Sequence, residues 1–312
     1  LAAPPMGALE EIRRRKRGAV ARALTMVENE PRRARAMLRE IFPHCGRSTI
    51  VGVTGPAGAG KSTLIGAVAA SLASSGKRPA VLAVDPTSHV TGGAIMGDRA
   101  RMAGLDGSGV YVRSLASRGS RGALSASVRD CIRVLEYARY DPVIVESVGA
   151  GQTEVDIASI ADITVVVFSP QTGDSIQAIK AGLTEIGDIY VVNKSDLDGS
   201  AQLYDSVREF AGTGPDGRER AVMRVSSRRP ATAAALARRI AALAAERRRG
   251  RKERHAARLE SELRDIVLNS VRDRAVSAMS AGNARYERCV RDLRAGRVDP
   301  HGAAQRILGA MT

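Results

Sequence analysis

The sequence predicts an α/β fold, a mainly parallel sheet covered by helices on both faces, and three observations carry that prediction. Strand-length runs rich in Val and Ile alternate with helical patterns from Ile50 to Ser227, as expected of strands buried on both faces. The first run, residues 50–54, leads straight into Gly55-x-x-x-x-Gly60-Lys61-Ser62. The most apolar run, ITVVVFSP at 163–170, has the length of a strand and falls well short of a membrane span. A strand feeding a glycine-rich loop and then a helix is the phosphate-binding arrangement of a P-loop NTPase. N-terminal helices precede this sheet and a C-terminal helical extension follows it.

Two helices are expected ahead of the sheet, over 8–28 and 31–42. Leu9, Ile12, Val20, Leu24 and Val27 share one face of the first, and Met37, Leu38 and Ile41 one face of the second. Pro31 suits a first helical position and Pro43 a stop. Standing before the first strand, they make residues 1–49 an N-terminal helical appendage. The basic cluster Arg13 to Arg17 faintly resembles a targeting segment. Glu10, Glu11 and Arg22 interrupt it and no small-residue cleavage site follows, so a surface helix is expected.

Strands are expected at 50–54, 80–85, 110–115, 142–148, 163–169, 189–193 and 222–226. Helices are expected at 62–75, 122–140, 153–161, 174–186, 200–211 and 230–248. Residues 50–229 form the nucleotide domain, with ligands gathered at the carboxyl ends of its strands. After Pro230 the chain is Arg- and Ala-rich helix, an arm over 230–312. Leu259, Leu263, Ile266, Val267 and Val271 form a narrow apolar stripe on it. The stripe packs back on its own domain or pairs with a second subunit. Residues 247–254, read as a solvated connection, favour the homodimer.

The formal net charge of +15 lies on the flanks: residues 1–49 carry 11 basic and 5 acidic side chains, 230–312 carry 18 and 9, and 50–229 balance at 19 and 19. A basic surface suits a polyanionic partner. Only 6 of the 48 basic residues are lysine, however, which reads as an arginine-rich coding bias, and aromatics for stacking on bases are 3%. Neither nucleic acid nor a membrane is expected as a partner. Cys45, Cys131 and Cys289 lie far apart without Cys-x-x-Cys spacing, pointing to reduced thiols and a cytoplasmic location. His44 beside Cys45 finds no second pair, since His89, His255 and His301 are scattered.

In the phosphate loop, Gly55, Pro56, Ala57, Gly58, Ala59 and Gly60 allow backbone amides to curl round an oxyanion. Lys61, Ser62 and Thr63 open a helix whose positive end faces the same phosphates. Lys61 would reach the β- and γ-phosphates, and the Ser62 hydroxyl would ligate Mg²⁺. Asp85 and Glu146 end strands expected to neighbour this loop, and Asp98 lies in the glycine-rich stretch TGGAIMGDRARM. Each can hold Mg²⁺ or orient water. Asn193-Lys194-Ser195-Asp196 follows the run IYVV. A carboxylate there can accept from guanine N1 and the 2-amino group, with Asn193 tying the loops and the Lys194 stem covering the base, so the ligand is GTP/GDP. A backbone amide at Ser226 or Ser227 could meet the guanine O6. Glu146-Ser-Val-Gly149 resembles the Asp-x-x-Gly of small GTPases. Ala150 stands where many carry a water-positioning Gln, and Gln152 comes two residues later, with Glu154 beyond it as a further catalytic candidate. Slow turnover by the isolated protein, accelerated by a partner, is expected.

These blocks, VGVTGPAGAGKST, LAVDPTSHVTGGAIMGDRARM, VIVESVGAGQTEVD, SPQTGDSIQAIKAGLTEIGD and VVNKSD, resemble those of the MeaB/ArgK family, GTPases associated with methylmalonyl-CoA mutase. The resemblance covers nearly the whole chain, including VRDLRAGRVDPHGAAQRIL. It implies a GTP-hydrolysing chaperone, or metallochaperone, of an adenosylcobalamin-dependent acyl-CoA mutase, often a homodimer joined by C-terminal helices. It also implies that Asp85, Asp98 and Glu146 are the magnesium and catalytic carboxylates. Gln171 to Lys180, with Gly173 and Asp174, would be a nucleotide-sensitive switch. Ser169-Pro170-Gln171-Thr172-Gly173-Asp174 departs from the more glycine-rich Pro-Gly-x-Gly-Asp expected there. Three alternatives stay open. A nickel-insertion GTPase usually displays His runs or Cys clusters, which this chain lacks. A nucleotide-regulated RNA-binding module draws on the basic flanks. A small-molecule kinase would prefer ATP.

Overall fold

The computed structural model describes residues 6–86, 108–117, 123–147, 157–171, 184–213, 217, 219–280 and 282–309. The chain forms two compact units, divided between Arg251 and Lys252. The first unit holds seven strands: β1 Ile50–Thr54, β2 Ala80–Pro86, β3 Tyr111–Ser117, β4 Val143–Glu146, β5 Ile163–Phe168, β6 Ile189–Val192 and β7 Ala221–Arg224. Their order is β3-β2-β4-β1-β5-β6-β7, and every pairing is parallel. Its helices are α1 Met6–Arg13, α2 Arg17–Asn29, α3 Pro31–Ile41, α4 Lys61–Ser74, α5 Ala123–Tyr137, α6 Ser200–Ala211 and α7 Pro230–Glu246. Of the helix expected at 153–161, residues 157–160 are helical; most of that expected at 174–186 lies outside the described residues, leaving the turn Thr184–Ile186.

Period-2 alternation explains why the strands read as unbroken apolar runs. Ala80, Leu82 and Val84 of β2 join a core with Val20, Leu24, Met37, Ile41 and Leu135 from α2, α3 and α5. Val81 and Ala83 point to the other face and join Leu64, Ile65 and Val68 of α4 and Leu236, Ala237 and Ile240 of α7. A third cluster sets Leu203 and Val207 of α6 against Val166, Phe168, Tyr190 and Val192.

Two expected boundaries change. The helices of residues 1–49 are part of the main body, because α2 and α3 share one buried core with α5 and the sheet. They also divide differently: the helix expected over 8–28 breaks at Arg15, whose φ of +58° is left-handed. Likewise α7, assigned by composition to the arm, packs on α4 and belongs to the first unit. Within the stretch expected to be a solvated connection, 248–250 and 252–254 are exposed, while Arg247 and Arg251 are tied to the first unit. Arg247 donates to the Asp188 carboxylate and the Asp162 carbonyl, and Arg251 donates to the Ser48 carbonyl at 2.7 Å.

The entry end of the sheet is held by carboxylates accepting backbone amides. Glu136 accepts from Gly46, Arg47 and Ser48 at 3.1, 3.0 and 3.0 Å, Asp141 from Thr49 at 2.9 Å, and Asp162 from Ile50 at 2.8 Å. The second unit comprises α8 (Arg251–Ala278) from Lys252 onward, α9 Ala284–Arg294 and α10 Pro300–Leu308. Asn283 caps α9 and Asp299 caps α10 through side-chain oxygens that accept two amides each. Along α8, Leu263, Ile266, Val267, Leu268 and Val271 are exposed.

Because Leu236 is buried in the α4–α7 core, Leu236→Ala is expected to cost about 2–5 kcal/mol in urea unfolding. Phe210→Ala, at an exposed position of α6, should stay within about 0.5 kcal/mol.

Candidate functional site

The chain leaves β1 at Gly55, whose φ is +141°; a Cβ there would run into the Val167 carbonyl oxygen of β5. Only glycine fits so close an approach. Gly58 and Gly60 follow with φ of +78° and +82°, curling the loop back onto itself, where the Ala59 amide donates to the Pro56 carbonyl at 3.3 Å. Lys61, Ser62 and Thr63 form the first turn of α4, and the Leu64 amide donates to the Gly60 carbonyl at 3.0 Å. Lys61 is buried, its Nζ donating to the carbonyls of Gly55 at 2.8 Å and Pro56 at 3.1 Å. The ammonium therefore lies within the loop, at the positive end of the helix.

Two buried contacts join the exit of β1 to β4. Ser62 Oγ donates to Glu146 Oε1 at 2.7 Å, and Ser147 Oγ donates to Thr54 Oγ1 at 2.9 Å. A hydroxyl and a carboxylate meeting at the start of the loop helix are two hard oxygen donors, a set that fits Mg²⁺. Asp85 is placed differently from expectation: β2 pairs with β4, so β4 lies between Asp85 and the loop strand. Its backbone is in β2, but its side chain lies outside the described residues, as do Asp98, Gly149, Gln152, Glu154, Gly173, Asp174 and Lys180.

The second loop approaches from β6. The Asn193 amide donates to the Phe168 carbonyl at 2.8 Å, continuing the strand pairing. Its buried side chain reaches the phosphate loop, Nδ2 donating to Ala59 O at 2.9 Å and Gly60 O at 3.4 Å. A Cβ on Gly60 would lie 2.6 Å from that Nδ2, so this glycine also makes room for the tie. Lys194 is held in the left-handed region, φ +54°, and its Nζ donates to Gly58 O and Gln171 Oε1, both at 3.0 Å. Gln171 is thus bound to the second loop, a contact its assignment to a switch did not anticipate.

Asp196 Oδ1 accepts from Ser226 Oγ at 2.6 Å, and Arg228 lies 3.7 Å from Oδ2. The Ser226 hydrogen bond, chiefly, holds this carboxyl below the usual carboxylate range. The Ser226 amide is not available as expected, because it donates to Thr232 Oγ1 at 3.0 Å. Thr232 Oγ1 in turn donates to the carbonyls of Ser226 at 2.9 Å or Arg229 at 2.8 Å. Sequence reasoning missed Thr232, Ser147 and Thr54. A threonine in the first turn of a helix beginning at Pro230 is the signal that could have found the first.

A depressed pKa means that the Asp196 charge is fully present above the ordinary carboxylate range and is lost only as pH falls through the lower folded value. Ser226→Ala is expected to move the Asp196 midpoint upward in a carboxyl NMR titration, leaving it ionised at neutral pH. An unchanged midpoint would remove the hydroxyl as its cause.

The family model described as methylmalonyl-CoA mutase-associated GTPase MeaB matches residues 20–280. A Pyrococcus abyssi protein provisionally named a GTPase is 38% identical over 312 residues, covering 96% of this chain and 94% of its own length. The GTPase ArgK of Escherichia coli is 40% identical over 195 residues, 61% of this chain and 59% of that protein. Among solved structures, a crystal structure titled LAO/AO transport system kinase superposes with a TM-score of 0.67 and 25% identity, covering 99% of both chains. With the family model spanning most of its length and a relative of such identity along nearly all of it, the chain belongs to the MeaB family of methylmalonyl-CoA mutase-associated GTPases.

Proposed function

We propose that this GTPase is a chaperone, or metallochaperone, that gates adenosylcobalamin loading, protection or reactivation of a cobalamin-dependent acyl-CoA mutase such as methylmalonyl-CoA mutase. The mutase client is supported by the family description. The observation that carries the nucleotide reading is the 2.9 Å bond from Asn193 to the phosphate loop. It holds the guanine loop and the phosphate loop in one frame, so base identity and phosphate occupancy are sensed together.

In this reading Asp196 accepts from guanine N1 and the 2-amino group, the Lys194 stem covers the base, and Lys61 meets the β- and γ-phosphates. Ser62 and Glu146 hold Mg²⁺, which supplies neutralisation of the phosphate charge when bound. Gln171, bound to Lys194, passes the state of the nucleotide to the segment that follows it. GTP binding thereby biases loops whose arrangement the client reads. The exposed apolar stripe of α8 supports a homodimer through the C-terminal helices, and three free cysteines support a reducing, cytoplasmic compartment.

Asp196→Asn should weaken GTP binding by about 100-fold, since two charge-assisted hydrogen bonds are lost. It should also improve binding of xanthosine triphosphate, whose 2-oxo group accepts from the new amide; calorimetry with both nucleotides checks this. Turnover of the isolated protein is expected to be well below about 1 per second and to rise when a methylmalonyl-CoA mutase is added. Fast basal hydrolysis, or neither association with the mutase nor stimulation by it, would sink the chaperone reading.

A further inference from the structure

At the entry edge of the sheet, opposite the phosphate loop, a cavity of about 230 Å³ lies among Arg13, His44, Arg47, Glu136, Arg139 and Asp141. The five residues of β1 separate it from the nucleotide end by about 17 Å, at roughly 3.3 Å per residue. Three exposed arginines from three places in the chain line it: the last residue of α1, the approach to β1, and the turn after α5. Among the described residues none of the three makes an ion pair or a side-chain hydrogen bond. Nearby arginines do find carboxylates, as in Arg14–Glu10 at 2.9 Å, Arg113–Glu28 at 2.9 Å and Arg133–Asp130 at 2.6 Å.

The carboxylates in the cavity are already engaged. Both oxygens of Glu136 accept the amides of Gly46, Arg47 and Ser48, and Asp141 accepts that of Thr49. The buried Ser48 hydroxyl is likewise committed, donating to the Tyr140 carbonyl at 2.6 Å. His44 rests against the Tyr137 ring, centroids 5.8 Å apart. Arg139 occupies the left-handed backbone region, φ +61°, which is disfavoured for any residue with a Cβ. Glu136 and Asp141 keep their charges while accepting backbone amides, so three arginines face two carboxylates around the hollow, an excess of positive charge carried by guanidinium groups without an ion pair among the described residues.

We propose that this cavity is a second anion site, separate from the guanine nucleotide, that takes a small phosphate monoester or pyrophosphate. Guanidinium forks match the several oxygens of a phosphate group, and the hollow is concave, unlike a flat polyanion-binding face. Its volume falls below the roughly 300–1,000 Å³ of pockets for drug-sized ligands, which favours a compact phosphate compound over a nucleotide coenzyme.

The test uses the full chain saturated with GDP and Mg²⁺, so that the phosphate loop is filled, and titrates it calorimetrically with pyrophosphate and with glycerol 3-phosphate. Saturable one-to-one binding of either probe is expected, and the tighter one identifies an inorganic or an ester ligand. The double variant Arg47→Gln, Arg139→Gln should weaken it at least about tenfold, with GTP turnover unchanged. The control Arg14→Gln, an exposed arginine already paired with Glu10, should leave affinity unaltered. Absence of saturable binding, equal weakening by the control, or binding of poly(A) RNA with neither small probe bound would overturn the proposal.

Discussion

Everything at the nucleotide end depends on the chain being able to pass from β1 into the phosphate loop against the backbone of β5. The Val167 carbonyl occupies the place a side chain on Gly55 would need, so the turn exists only with glycine. From that turn follow the curl through Gly58 and Gly60, the inward position of Lys61, and the alignment of α4 on the loop. Parallel packing makes the approach so close: β1 is flanked by β4 and β5, leaving no lateral room at its exit.

Two sets of contacts build outward from this constraint, one on each flank of β1. Toward β4, the Ser62–Glu146 and Ser147–Thr54 bonds tie the loop helix to the neighbouring strand end. Toward β6, Asn193 bonds to carbonyls of Ala59 and Gly60, and Lys194 to that of Gly58. Asp196 is then set by Ser226, which Thr232 holds in place from the first turn of α7. The helix grouped with a peripheral arm by composition thus contributes to the scaffold of the loop at residues 193–196.

What could be read in the sequence follows from how local each signal is. The strands were legible because both faces of a parallel sheet are apolar, as in the alternate burial of Ala80, Leu82 and Val84 against Val81 and Ala83. The loop glycines and Asn193 were legible because their conformational and hydrogen-bonding demands admit few residue types. Strand order was not: nothing local to Asp85 tells that β4 intervenes between β2 and β1. The place of α7 was misread because its Arg and Ala content resembles a solvated rod. The small Ala237, however, is buried with Leu236 and Ile240 in the cluster shared with α4. Nor does a glycine or proline stand at Arg15 or directly beside it to announce the break between α1 and α2. The Thr232 bond to the Ser226 amide is a tertiary contact that residue type alone does not specify.

The carboxylates at the entry edge have a mechanical consequence. Glu136, Asp141 and Asp162 take five successive amides, from Gly46 to Ile50, and Arg247 clamps the neighbouring Asp162 carbonyl and Asp188 carboxylate. Side chains staple the start of β1, whereas its exit is made of glycines and a hydrogen-bonded pair of loops. Both ends of β1 are nonetheless held by side chains, the entry by carboxylates on successive amides and the exit by hydroxyl, carboxylate and amide groups on the loop. The strand between them is a short, five-residue link whose two ends are fixed by different chemistry.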